Sequence, residues 1–154
     1  MSVGTGKRYR FEGKERTIEN IMSEAVYVNN IPGYPAAHSP YSHAVVANGF
    51  VFVSGQIAVR PGGGSTEIVG STIQEQTRQC LNNVKAILEA AGSSMERIVK
   101  VTVLLAQPDL FKGMNEAYAE FFAVTKPARA VARFGAEVPG VLVSIEAVAL
   151  AGKS

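Results

Sequence analysis

Residues 42–55 read SHAVVANGFVFVSG, and the Asn48-Gly49 pair at their centre constrains the fold more than any other feature. A two-residue hairpin turn of the favoured twist needs positive φ at both central positions, which Asn and Gly tolerate best. With apolar runs on either side, the pair predicts an antiparallel hairpin. The run Phe50-Val51-Phe52-Val53 shows no polar alternation, which predicts a strand covered on both faces. Such a hairpin needs other elements to cover it, and the rest of the chain supplies candidates.

A helical stripe follows at Ile73, Thr77, Cys80, Leu81, Val84, Ile87, Leu88 and Ala91. Ser71 or Thr72 suits its N-cap and Gly92 its end. RIVKVTVLLA (97–106) alternates as a strand. Asp109 is positioned to cap a second helix carrying Leu110, Phe111, Met114, Ala117, Tyr118, Phe121 and Phe122. Pro127 stops that helix and opens the strand ARAVAR, and GVLVSIEAVAL (140–150) reads as a final strand. EAVYVNN (24–30) is a short strand, IPGYPAAHSP (31–40) a loop, and the glycines at 62–64 a hairpin tip. The order is strand, hairpin, helix, strand, helix, strand, strand. It predicts an α+β fold, a mixed sheet with two helices packed on one face.

The uncovered face is then a problem. Alternation groups Ile98, Lys100, Thr102 and Leu104 with Arg129, Val131 and Arg133, and with Leu142, Ser144, Glu146, Val148 and Leu150. Assigned to the face without helices, this set would show water a large apolar patch, which burial against copies of the same chain removes. A homo-oligomer is expected, with those charged residues at or near its interfaces.

Bulk properties narrow the classes. The 154 residues suit one domain, expected over residues 21–154, after a polar arm at 1–20 expected to be flexible or loosely docked. Residues 1–16 hold five basic and two acidic side chains, and the other 138 hold ten and eleven. A nearly neutral body disfavours a nucleic-acid partner. No apolar run approaches the roughly 18 residues of a membrane span. One cysteine permits no intramolecular disulfide, no secretory or mitochondrial leader is visible, and a cytoplasmic setting is the expectation.

Chemistry-bearing residues are few. Arg129 and Glu146 both lie in apolar strands. They form either an interfacial ion pair or a small-carboxylate site, in which the guanidinium grips the carboxylate through two parallel hydrogen bonds and the glutamate handles water or a proton. Tyr41 either packs as an edge aromatic or lines a cleft. Asn115 is either a solvated helix residue or a cleft ligand. His38 and His43 lack a third partner at zinc-like spacing, and Cys80 belongs to the helix stripe rather than to a nucleophile. No phosphate-loop motif and no GxSxG is present.

Taken together, PYSHAVVANGFVFVSGQI, TRQCLNNVKAILEAAGSS, IVKVTVLL, FKGMNEAYAEFF, KPARAVARF and VSIEAVAL resemble, in order and spacing, the reactive intermediate imine deaminase family (RidA, YjgF-type, also called perchloric-acid-soluble protein) over about residues 24–150. The resemblance implies a chorismate-mutase-like homotrimer with clefts between adjacent subunits. It implies hydrolysis of 2-imino acids, or their enamine tautomers, to 2-keto acids and ammonia without a cofactor or metal. By motif, Arg129 is the carboxylate clamp, Glu146 positions the attacking water, and Tyr41 lines the cleft. Ser54, Gly55, Asn115 and position 131 contact substrate. Val131 departs from the family, many of whose members carry a cysteine there; the contacts from that position are largely through the backbone. The arm is a second departure. An RNA-cleaving or translation-inhibiting activity is also ascribed to the family, and a non-catalytic sensor of small carboxylates is a third alternative.

Overall fold

The computed structural model describes residues 8–11, 13–17, 25–34, 37, 39–63, 67–134 and 138–152. His38 and Gly64 lie outside them. The arm contributes a two-stranded antiparallel ribbon, β1 (Arg8–Phe11) and β2 (Lys14–Thr17), closed at Gly13. Its polar sequence gave no periodic signal for strands.

The body is a six-stranded sheet built from β3 (Val26–Val28), β4 (Ala44–Ala47), β5 (Phe50–Gln56), β6 (Ile98–Leu105), β7 (Ala128–Arg133) and β8 (Val143–Leu150). The spatial order is β3-β4-β5-β8-β6-β7, antiparallel throughout except for the parallel β6–β7 pair at one edge. The β4–β5 hairpin turns at Asn48 (φ 49°) and Gly49 (φ 81°), both in the left-handed region that the dipeptide predicts. The sheet is mixed because β6 and β7 are joined through a helix, the connection that parallel neighbours require.

Two helices cover one face, α1 (Ile73–Ala90) and α2 (Phe111–Phe121). Thr72 caps α1 in a capping box. Its side chain accepts from the Glu75 amide while the Glu75 carboxylate accepts from the Thr72 amide, so two otherwise unpaired donors are satisfied. The expected stripe on α1 is buried throughout, and it packs on Val51, Val53, Val143, Ile145, Ala147 and Ala149. Asp109 does not cap α2. It lies in a 3-10 turn, Pro108–Leu110, that runs directly into the helix, whose N-cap position is the helical Leu110. Arg78 of α1 grips Glu120 of α2 through two hydrogen bonds of 2.9 and 2.7 Å.

The other face is open in the single chain. Tyr27 and Phe52, which flank Val45 across the β3-β4-β5 ladder, are 65% and 46% exposed. Leu150 continues this apolar face. Within one chain, then, β5 is covered on one side only. Ile98 is buried on the helix side rather than grouped with Lys100, because a register shift between Ile98 and Lys100 breaks the alternation.

Candidate functional site

Sheet register decides where the candidates point. On β7, Arg129 pairs with Val101, Val131 with Val103 and Arg133 with Leu105, and all three partners are buried beneath the helices. Partners in a ladder share a face. Arg129, Val131 and Arg133 therefore point to the helix layer, and the alanines 128, 130 and 132 take the open face. Glu146 pairs with Thr102 and points the other way, into the open face. The grouping of Arg129 with Glu146 on one face is thus corrected: alternation separates two faces without saying which one the helices cover.

Arg129 stands at the sheet edge beside α2. Its Nη1 donates to Asn115 Oδ1 at 2.8 Å. The guanidinium carbon lies 4.7 Å from the Tyr118 ring centre and 5.9 Å from that of Phe111. Among the described residues no carboxylate pairs with it. Burial pushes the Tyr118 hydroxyl pKa up, and the neighbouring arginine charge opposes the rise. The phenol therefore stays neutral under the cation. Val131 is half-buried and packs on the core edge.

Glu146 sits in a second cluster. On β5 the register jumps from Val53↔Ala147 to Gln56↔Ile145, so Ser54 and Gly55 together face the single residue Glu146 across the ladder. This is a β-bulge, a device that re-aims side chains. It is held by Ser54 Oγ donating to the Ser42 carbonyl at 2.6 Å and by Gln56 Nε2 donating to the Ser54 carbonyl at 2.9 Å. A Cβ at Gly55 would lie 3.0 Å from Ser144 Oγ, a close approach that a larger residue makes only if the serine side chain gives way. Tyr41 is half-exposed, its ring 6.0 Å from His43, whose carbonyl accepts from the Ser54 amide. Glu146 is exposed and has no ion pair or hydrogen bond among the described residues.

One chain thus gathers the candidate residues into two separate clusters, Arg129 with Asn115 beside α2 and Glu146 with Ser54, Gly55 and nearby Tyr41 on the sheet side. Two cavities among the described residues, of about 360 and 590 Å³, line up with neither: one is walled by residues between Asn29 and Tyr34 and the other by β3 with the end of α1, at the opposite edge of the sheet. Cys80 is fully buried with its thiol pKa raised by desolvation, which leaves it no nucleophilic role. Among the described residues no group of three or more His, Cys, Asp and Glu is arranged to hold a metal, and no helix is long and apolar enough to cross a membrane.

Two features escaped the sequence. Phe111 and Tyr118 read only as core positions, although they lie four before and three after Asn115, on one helix face. Buried Asn83 also went unnoticed. Its Nδ2 donates to the Ile57 and Val59 carbonyls at 3.0 Å each, and its Oδ1 accepts from Gln79 and Tyr34. It thereby fixes the segment leaving the bulge. Nothing in a helix sequence marks such a residue beyond its place on the apolar stripe.

A family model described as Endoribonuclease L-PSP matches residues 32–151. The chain belongs to this family. Within the L-PSP family, which includes the RidA and YjgF proteins, it is 45% identical over 128 residues to the RutC family protein PH0854 of Pyrococcus horikoshii, covering 83% of this chain and 98% of that one. It is 40% identical over 118 residues to the human protein named 2-iminobutanoate/2-iminopropanoate deaminase, covering 77% and 85%. The crystal structure of E. coli TdcF with bound serine is similar at a TM-score of 0.73 and 37% identity, over 81% and 98% of the two chains. The mixed sheet with two helices is the fold of these L-PSP family structures.

Proposed function

We propose that this chain is a cofactor-independent hydrolase of 2-imino acids such as 2-iminobutanoate and 2-iminopropanoate, with its site assembled between subunits of a homotrimer. The observation that carries the proposal is the Arg129 guanidinium, held by Asn115 and by an aromatic face yet with no acidic partner among the described residues. An exposed arginine fixed in this way is a receptor for a planar carboxylate. Relatives named as imino-acid deaminases, and a neighbour holding the amino acid serine, support a substrate of this class. The open apolar sheet face supports assembly, because a second chain covers it and brings a partner's Glu146 toward Arg129.

In this scheme the substrate carboxylate binds Arg129. Glu146 accepts a proton from water as the oxygen adds to the imine carbon. That proton passes to nitrogen; the carbinolamine hydroxyl then returns its own proton to Glu146 as the C=O bond forms and the C–N bond breaks, and ammonia leaves with the 2-keto acid. An iminium is already electrophilic, so positioning and proton transfer supply most of the catalysis. An enamine first takes a proton at carbon, for which Glu146 is the candidate. The test generates 2-iminobutanoate in situ and follows its decay. Acceleration by the parent protein, lost in Arg129→Ala, is expected. No acceleration by folded parent protein overturns the hydrolase assignment. Retained binding of a 2-keto acid in that case, unaffected by Glu146→Gln, would indicate a sensor.

A second reading, RNA cleavage, draws on the description of the family model and on the exposed Arg8, Arg10 and Lys14 of the β1–β2 ribbon. Deleting residues 1–20 separates the two: RNA cleavage collapses, whereas imine hydrolysis persists.

A further inference from the structure

We propose that Tyr118, with Phe111, is a positioning residue that sets the plane of the Arg129 guanidinium and so tunes affinity for the substrate carboxylate; this rests on the carboxylate assignment above. Phe111, Asn115 and Tyr118 follow one another at helical spacings of four and three, so they line one face of α2, and that face looks onto the Arg129 side of β7. A side chain on an exposed edge strand would otherwise sample many rotamers, and a ligand would have to freeze it.

The contacts here divide the guanidinium without competing for it. Its central carbon lies over the Tyr118 ring at 4.7 Å from the centroid, with that of Phe111 at 5.9 Å. One edge donor goes to Asn115. The remaining in-plane donors are left for a carboxylate, which binds edge-on rather than face-on. Ring attraction is electrostatic, from the quadrupole of the aromatic face, and strengthens where water is excluded. The ring side of the contact meets that condition and the cation side does not: Tyr118 is 7% exposed, with its ring 4.4 Å from that of Phe122, whereas Arg129 is exposed. Its hydroxyl is buried with no hydrogen-bond partner among the described residues. The side chain is therefore held for its ring and not for its polar end.

The experiment measures KM and kcat for 2-iminobutanoate generated in situ, and the Kd of 2-oxobutanoate, in the parent, Tyr118→Leu, Tyr118→Phe, Arg129→Ala and the double variant Tyr118→Leu/Arg129→Ala. Tyr118→Leu should raise KM and Kd by roughly fivefold, the upper scale of a cation–π contact to an exposed cation, with a smaller change in kcat. Tyr118→Phe, which keeps the ring, should bring both back to within about twofold of the parent. The double variant should bind no more weakly than Arg129→Ala alone, because the tyrosine acts only through the arginine. A Tyr118→Leu protein that folds and keeps its KM, or a double variant that loses further binding, overturns the positioning role and leaves the carboxylate assignment standing. Unchanged turnover in Arg129→Ala overturns the assignment itself. Should Tyr118→Leu not fold, the half-exposed Phe111→Leu decides: a KM raised by about twofold supports the cradle, and an unchanged one sinks it.

Discussion

Arg129 and Glu146 leave the same sheet in opposite directions, the first in register with buried Val101 and the second with Thr102 on the open face. No rotamer carries either side chain through the sheet. If both serve one substrate, they come from different chains. Arg129→Ala and Glu146→Gln should each be inactive alone. After mixing, partial denaturation and reassembly, activity should return to about a quarter of the parent's, the random share of clefts that pair an intact arginine with an intact glutamate. Enzyme assay of the remixed sample checks this, and no recovery despite subunit exchange refutes it.

Asn83 is fully buried in α1 and holds two carbonyls of the segment 57–59 together with the Tyr34 hydroxyl, whose pKa burial pushes up to about 12. Asn83→Ala strands several buried groups at once. Urea unfolding should show a loss of about 3 kcal/mol or more. A loss under about 1 kcal/mol would mean that water replaces the amide.

The Glu75 carboxylate pKa is held below its ordinary value, first by the Thr72 amide, then by the Thr72 hydroxyl and the Ser71 amide. A folded-state value below the unfolded one gives stability that is complete above the unfolded carboxylate range and fades as pH falls through the folded value. Glu75→Gln should therefore lower Tm at neutral pH, and its gap to the parent should narrow below about pH 4. Thermal melts across that range provide the check. A gap independent of pH would show that the capping box needs no charge.

Cys80 lies at 0% exposure, with its thiol pKa raised by burial and its sulfur 3.7 Å from the Val143 carbonyl. An aromatic disulfide reagent should label it only as the protein unfolds, at a rate that rises with urea. Stoichiometric labelling of the native protein within minutes would contradict its place in the core.

Much of this architecture can be read from local chemistry. Asn48-Gly49 forms the expected turn, one of the two candidate caps, Thr72, caps α1, and the stripe from Ile73 to Ala91 is buried. The face a strand residue takes is less legible: counting along β7 fixes only relative direction and leaves open the side Arg129 points to, and the register shift beside Val99 breaks even relative direction for Ile98. Asp109 suits an N-cap, yet Pro108 fixes a 3-10 turn that enters α2 without one. Arg129 and Glu146 are singled out only by motif resemblance, whereas the contact of Tyr118 with Arg129 depends on where α2 lies across β7, a tertiary relationship with no local signature.

The two-against-one mismatch at Ser54–Gly55 has a corollary. Val53 and Gln56 are an odd number of positions apart, yet both point inward. The strand changes parity there. Losing one residue at that point would turn either the FVFV run or the segment after Gln56 inside out, so a change of length here costs the fold more than a change in most of its side chains.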